Sequence, residues 1–425
     1  MREMKDSGIA WVGVMPADWI IKRGKFTLKL LSRPLEETDD VITCFRDGEV
    51  TLRKNRRLDG FTVSLKEIGY QGIEPGDLVI HGMDGFAGAI GISDSRGKSS
   101  PVLVVCDSDE NKRYVMYYLR SMAYNDVFTA LATGIRIRSC DLRWNKLAEL
   151  PYILPSVEEQ DRIVDAIESC TAKVNALIAN VQTQIEKLKA YKTSIITEAV
   201  TSGLNTSVSY KDSRLQWVSK MPDTWDNRKM ISILSMRVVD GPHESPVLQD
   251  EGIPYISATA IENGKINFDL MRGYISEEYC DLCDIRYKPQ LHDILVIKLG
   301  ASTGQVAIVE TEDRFNIWVP LAAIRCNEEA DPYFVYYAFQ SDYFKRQMEL
   351  SWTYGTQQTL GVKTIERLRI LLPPLAEQKE IVAYLDVKRD QIDRLIAIKQ
   401  EKIEKLEQYK RSLIYEYVTG KREVI

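Results

Sequence analysis

Phosphate loops, flipped-base tetrads, zinc knuckles and histidine acid–base sites each need particular residues at fixed spacing, and several segments of the chain approach one. Gly91-Ile-Ser-Asp-Ser-Arg-Gly97-Lys98-Ser99 has the composition of a phosphate loop but is one residue too long. G-x-x-x-x-G-K-[ST] needs glycine where Ile92 stands, and the wrong length misdirects the backbone amides. Asp331-Pro332-Tyr333 falls one proline short of the D-P-P-Y tetrad used against a flipped adenine, and no glycine-rich cofactor fingerprint accompanies it. Cys280-Asp-Leu-Cys283 has zinc-knuckle spacing, but no second Cys or His pair completes a tetrahedral site. The three histidines (81, 243 and 292) are scattered, and His292 beside Asp293 at a strand start reads as structural. None of this amounts to a catalytic constellation.

What remains is the chemistry of recognition. Arg53-Lys54-Asn55-Arg56-Arg57 sets four cations in five residues, which either reach phosphates and displace counterions or form an ordinary solvated loop. Arg136 and Arg138 alternate in a strand-like stretch, so both project from one face, suited to a guanine edge or a phosphate. Gln357 and Gln358 hold the equivalent place later in the chain, and glutamine suits bidentate pairing with adenine. Lys298, Ser302 and Thr303 at a glycine-rich turn, and Tyr354 in the same polar loop as the glutamines, complete the candidate DNA-binding set.

These residues sit in a chain of 425, 44% hydrophobic and 28% charged, a length that predicts two to four domains at roughly 100–200 residues each. A net charge of −5 excludes a uniformly basic coat but not a local basic face. Positions 204–374 carry 18 basic and 23 acidic residues, so any polyanion contact there must rest on a few well-placed groups. No run approaches the roughly 18 apolar residues of a membrane span, and the start MREMKDSG lacks a signal peptide's apolar stretch. The seven cysteines are an odd, scattered set, which argues against a disulfide framework. The expectation is a soluble cytoplasmic protein with no membrane contact.

The chain repeats itself. Trp11-Val12-x-x-Met15-Pro16-x-x-Trp19 recurs as Trp217-Val218-x-x-Met221-Pro222-x-x-Trp225, an offset of 206. Gln184-Ile-Glu-Lys-Leu-Lys-Ala-Tyr-Lys192 answers Lys402-Ile-Glu-Lys-Leu-Glu-Gln-Tyr-Lys410, an offset of 218 shared by Glu159-Gln160 with Glu377-Gln378. The order is globule, helix, globule, helix, with a net insertion of 12 residues inside the second globule.

Both helices are legible. Ser156-Val-Glu-Glu159 has the form of a capping box directly after Leu154-Pro155, and Gly203 stands where a helix stop belongs. Between them apolar residues at 163, 167, 170, 174, 177, 181, 185, 188, 191, 195 and 199 predict one long seam. The partner, from about Leu375 to Gly420, places Ile381, Leu385, Ile392, Leu395, Ile403, Leu406, Tyr409, Leu413 and Tyr417 equivalently, with Lys388 and Lys399 as polar seam residues. Seams this long and narrow predict helix-on-helix pairing. The globules are mixed: short strands around glycine-rich turns (Gly76–Ile80 and Gly88–Ile92; Asp293–Ile297 and Gln305–Val309), an aromatic helix each (Tyr114–Arg120; Tyr333–Phe339), a polar loop, and a strand ending at proline. The aromatic helices read as core rather than as base-stacking platforms.

Two unlike globules, each closed by L-P-x-x-x-E-Q and a long helix, resemble the specificity subunit of type I restriction–modification systems. Leu154-Pro-Ser-Val-Glu-Glu-Gln160, Leu372-Pro-Pro-Leu-Ala-Glu-Gln378, the paired tryptophan motifs, the Ile-Glu-Lys-Leu and Tyr-Lys helix endings and Asp293–Ile297 with Gly300-Ala-Ser-Thr-Gly304 carry the resemblance over essentially the whole chain. It implies an α/β (α+β) fold with two mixed target-recognition domains, 1–155 and 204–374, and two long antiparallel coiled-coil helices, a central spacer at 156–203 and a C-terminal one at 375–425, in a pseudo-twofold repeat. It implies that each domain reads half of a bipartite, asymmetric double-stranded DNA target while the helices set the gap. It implies a non-catalytic chain without its own cofactor, docking two methyltransferase subunits through Glu159, Gln160, Glu377 and Gln378. S-adenosylmethionine, ATP and Mg2+ then belong to the partner subunits, which include two restriction subunits where the system restricts. Read from the residues alone, a helical adaptor with two ligand-binding domains, or an enzyme with an unrecognised site, stays open beside this.

Overall fold

The computed structural model describes residues 2–56, 68–130, 142–354 and 358–424. They form two compact units, Met1–Gln182 with Glu401–Ile425, and Thr183–Gln400. Each unit therefore owns one globule, the nearer half of the helix that follows it and the far half of the other helix. The domain limits of the sequence reading cut the helices off as separate pieces, whereas packing shares them between the units.

The two units repeat one topology. An antiparallel four-stranded sheet runs in the order Lys29–Leu30, Leu103–Asp107, Leu78–His81, Ile90–Ile92 in the first. In the second the order is Val239–Asp240, Leu321–Ile324, Ile294–Ile297, Val306–Ile308. The central strands Leu78-Val-Ile80 and Ile294-Leu-Val-Ile297 are continuous β-branched and aliphatic runs because both of their faces are covered, and they are wholly buried. The closing strand before each long helix pairs with the strand after its tryptophan: Pro151–Leu154 with Ile20–Arg23, and Arg369–Leu372 with Asp226–Lys229. The offset between equivalent residues is 206 at Trp19 and Trp225, 216 at His81 and Ile297, and 218 at the closing strands. Ten of the twelve inserted residues thus enter ahead of Ile294–Ile297. That stretch also contains the Glu277–Arg286 helix and two strands, Ile253–Ile256 and Gly273–Ile275, of a further three-stranded sheet.

The aromatic helices, Lys112–Tyr124 and Pro332–Gln340, start at Asn111 and Asp331, whose side chains accept from the second and third amides that follow. Tyr114, Tyr118, Phe334, Tyr337 and Phe339 are fully buried, so these helices are core.

The long helices span Val157–Ser202 and Leu375–Val418. Their pairing is antiparallel within each unit. In the first, Cys170 meets Tyr417 and Lys410 bonds Asn175; in the second, Lys399 donates to Gln184 (2.5 Å) and Lys192 pairs with Asp393 (2.8 Å). Lys399, a polar seam residue, is therefore satisfied across the pair. The seam differs from the expected one at two steps: Leu177 and Tyr191 face solvent, as do their equivalents Leu395 and Tyr409, and Ile178 and Ile196 are buried instead. At 3.6 residues per turn a strict 3.5 repeat drifts around the helix, and these substitutions return the apolar contact to the partner.

Two side chains tie each helix to its globule. Glu377 accepts from the buried indole of Trp225 (Nε1, 3.0 Å), and Glu159 from that of Trp19 (3.2 Å) while also pairing with Arg2. Gln378 accepts from the Asp331 amide (2.7 Å) and donates to the carbonyls of Glu329 (2.9 Å) and Pro373 (2.8 Å). Gln160 repeats this: it accepts from the Asn111 amide (2.9 Å) and donates to Glu110 (2.7 Å) and the Pro155 carbonyl (3.1 Å). The Glu159 amide donates to Ser156 Oγ (3.3 Å), but its carboxylate does not return to Ser156 as a full capping box requires, because Trp19 and Arg2 take it. Gly203 and Gly420 end the two helices with φ of 73° and 68°, in the left-handed region where glycine is unstrained.

Gln378→Ala should leave the Asp331 amide and two carbonyls buried without partners and lower the stability of the chain by roughly 2–4 kcal/mol. Glu380→Ala, exposed two residues on, should change it by less than about 0.5 kcal/mol. Chemical denaturation of both variants checks this, and equal effects would remove the special role of the glutamine.

Candidate nucleic-acid interface

The basic run lies between the Ile42–Cys44/Val50–Leu52 hairpin and undescribed residues. Lys54 pairs with Asp40 (2.5 Å), and Arg56 with Asp47 (2.8 Å) and Glu49 (3.1 Å) while lying 4.2 Å from the Phe45 ring centroid. Arg53 donates to Thr43 (3.3 Å). Two of its described cations, Lys54 and Arg56, are thus paired with acids in or beside their own hairpin. Exposed pairs of this kind are worth about 0–1 kcal/mol, so a phosphate can exchange for the carboxylate at little cost. Arg57, Arg136, Arg138 and Gln357 lie outside the described residues.

The other expected residues of the second unit come together. Lys298 begins the turn 298–304; its amide donates to the Pro320 carbonyl and its carbonyl accepts from Leu360, both at 2.8 Å. The Gly300 amide donates to the Gln358 carbonyl (3.1 Å), and Thr303 Oγ1 to that of Gly300 (2.7 Å). Gln358 pairs through its backbone with Tyr354 in a two-stranded hairpin. The turn and the glutamine loop therefore form one assembly, with Ser302 half-exposed at the turn and Gln358 half-exposed beside it.

The first unit builds the same frame from other residues. The Gly82 amide donates to Val102, its carbonyl accepts from Leu142, and Gly88 closes a seven-residue turn as Gly304 does. Gly82 thus stands where Lys298 stands, and the undescribed stretch holding Arg136 and Arg138 leads into Leu142 as the glutamine loop leads into Leu360. At the root of the first turn His81 Nδ1 accepts from the amides of Met83 (3.3 Å) and Asp84 (3.0 Å), and burial lowers its pKa, which keeps the ring a neutral acceptor.

One group escaped the sequence reading, and it changes the role of Lys298. The Lys298 ammonium is buried against Asp240 (2.8 Å), whose carboxylate also bonds Arg286 and His243 Nε2 (3.2 Å). Burial pushes the Asp240 carboxyl up, but the Lys298 hydrogen bond and charge, with Arg286 and His243, outweigh it and hold the group below its ordinary value. Lys298 was expected among the DNA contacts; its side chain is a buried anchor instead. Continuing the register of Leu30 with Cys106 puts Ser32 opposite Val104, as Asp240 is opposite Ala322, so the first unit has serine and glycine where the second has the ion pair. Asp240-Gly-Pro-His243 was the available signal, an acid and a base three apart after a strand.

Glu159, Gln160, Glu377 and Gln378, expected as docking contacts, are the internal ties described above. Gln160 and Gln378 are fully buried and have no surface to offer a partner. Cys280 and Cys283 are buried in the Glu277–Arg286 helix, where burial raises the Cys280 thiol to about 11 and disfavours the thiolate a metal needs. Among the described residues no three or more His, Cys, Asp or Glu side chains gather as metal ligands, and no helix is long and apolar enough to cross a membrane.

Residues 222–408 match the family model of the type I restriction modification DNA specificity domain. The chain is 25% identical over 347 residues to the type I restriction enzyme EcoBI specificity subunit of Escherichia coli, covering 76% of this chain and 70% of that one. It is 24% identical over 329 residues to the MjaVIII specificity subunit of Methanocaldococcus jannaschii, covering 74% and 72%. Its fold matches a chain solved in work on complex assembly and conformational transition of the type I R-M system, with a TM-score of 0.66 at 16% identity over 96% of this chain and 99% of the other. Together with the duplicated units and paired long helices, these likenesses make the chain similar to type I restriction–modification DNA specificity subunits, with residues 222–408 matching their specificity domain.

Proposed function

We propose that each unit reads one half of a bipartite, asymmetric double-stranded DNA target, and that the paired helices hold the gap between the halves. The observation that carries this reading is one hydrogen-bonded frame fitted with unlike residues: Gly82 and Ser32 in the first unit against Lys298 and Asp240 in the second. Two readers of one sequence have no reason to differ there, and readers of different half-sites do. Arg136 and Arg138 on one side, Gln357 and Gln358 on the other, extend the same contrast; base edges are read by such groups, while Lys54 and Arg56 suit phosphates.

The chain supplies no catalytic group in this reading. Adenine methylation belongs to two methyltransferase subunits that carry S-adenosylmethionine, and restriction, where the system has it, to two ATP- and Mg2+-dependent subunits. Docking rests on an exposed apolar stripe rather than on the Glu–Gln pairs. Val157, Leu177 and Tyr191 are exposed on the first helix, and Leu375, Leu395 and Tyr409 on the second, each at the offset of 218. Val387 and Ile398 extend the second stripe. The three matched positions suit two copies of one partner, while Val387 and Ile398 stand where the first helix has Ser169 and Asn180.

Methylome sequencing of cells carrying the chain and its methyltransferase tests the reading directly. Gln358→Ala should relax one half-site only, by about 1–3 kcal/mol of discrimination if the contact is bidentate; equal changes in both halves would contradict two separate readers. Four residues inserted after both Gln182 and Gln400, positions that lie level in the antiparallel pair, add about 6 Å to each helix. At 3.4 Å per base pair the gap should lengthen by one or two base pairs with both half-sites kept. Two-residue insertions should destabilise instead, because they rotate the apolar face off its partner. An active enzyme with an unchanged gap after the four-residue insertions rules the spacer out. The purified chain alone should transfer no methyl group from S-adenosylmethionine to DNA, and turnover by it would reverse the assignment.

A further inference from the structure

We propose that the second unit holds a DNA phosphate through Arg286, a side chain fixed in place by the buried carboxylate of Asp240. This rests on the DNA-reading role above and adds a backbone contact to it.

The argument begins with charge. Lys298 alone neutralises Asp240: both side chains are only 9% exposed, and the ammonium lies 2.8 Å from Oδ2. A buried carboxylate paired this way needs no further cation. Arg286 nevertheless bonds Oδ1, and His243 Nε2 lies 3.2 Å from Oδ2, although these side chains are 51% and 68% exposed. Arg286 is a surplus donor turned to solvent at one end and tethered at the other, whereas the one N–H of a neutral His243 is already spent on Asp240. The Arg286 guanidinium spends one amine on Asp240 and keeps its other donors. A guanidinium already fixed loses less rotamer freedom when it takes a phosphate, and its planar fork suits the oxyanion.

The backbone around the pair is pinned as well. A Cβ on Gly241 would lie 2.4 Å from the carbonyl carbon of Trp318, so only glycine lets these two segments meet. The Trp318 indole donates to the Glu244 carbonyl (3.1 Å), and the Arg272 guanidinium stacks 3.3 Å from the Trp318 ring centroid. The nearby Glu244 carboxylate accepts from the Tyr279 hydroxyl (3.2 Å). Asp240 also sits at the strand end from which the turn 298–304 departs, because Lys298 is both its ion-pair partner and the first residue of that turn. A phosphate on Arg286 would therefore set the DNA backbone beside Ser302 and Gln358. In a segment with more acids than bases, a few fixed cations of this kind are what a polyanion contact requires.

The test uses the full chain with its methyltransferase and a duplex carrying the target found by methylome sequencing, with affinity measured over a range of salt. Arg286→Gln should weaken binding on the order of tenfold, and lower the slope of log affinity against log salt by about one, with base preference unchanged. The melting temperature of Arg286→Gln should match the parent's, and Arg286→Lys, which keeps the charge, should keep the slope. Arg346→Gln removes an exposed cation elsewhere in the unit and should leave both affinity and slope as they are. Parental affinity and slope in Arg286→Gln overturn this proposal alone, as does an equal loss in Arg346→Gln. A parental complex that retains no duplex at all overturns the DNA-reading role itself.

Discussion

The hydrogen bonds that each Glu–Gln pair makes at the start of a long helix constrain everything else in the molecule. Gln160 and Gln378 accept from the amide of an aromatic helix's capping residue and donate to carbonyls of the preceding chain; Glu159 and Glu377 take the indole of a buried tryptophan. The glutamines and the indoles are buried, so each bond lost there would leave a desolvated donor or acceptor rather than return it to water. The start of each long helix is thereby locked to its own globule. The motif that is most legible as a family signature is thus a mechanical joint.

On that fixed scaffold the duplicated units keep what packing requires and vary what faces outward. The four-stranded sheets, the closing strand pairs and the seven-residue turns coincide in order and hydrogen bonding. The divergence falls at the ends of the strands, where the ion pair of Lys298 with Asp240 in one unit is matched by Gly82 and Ser32 in the other. Substitution there leaves the core untouched, so the two halves are free to differ in what they bind while sharing one fold. The exposed apolar positions on the helices behave in the opposite way. Those at Leu177 and Tyr191 are preserved in type at Leu395 and Tyr409.

The sequence by itself determined the duplication, both long helices nearly to the residue, the aromatic helices as core and the family resemblance. Each rests on local or periodic signals: a capping residue, a 3.6-residue repeat, an aliphatic run between turns. Only the tertiary structure decided where the polar side chains go. Glu159 and Gln160 look like exposed helix-start residues in sequence, and their burial depends on a tryptophan about 140 residues earlier and a loop about 50 residues earlier. Lys298 reads as a contact at a polar turn until Asp240, fifty-eight residues away, is found against it. Leu177 and Ile178 are both apolar, and which of them enters the seam depends on the slow drift of a straight helix against its partner. Hydrophobic period and capping are read within a few residues, whereas the partner of a charge or an amide is set by long-range packing that no local pattern encodes.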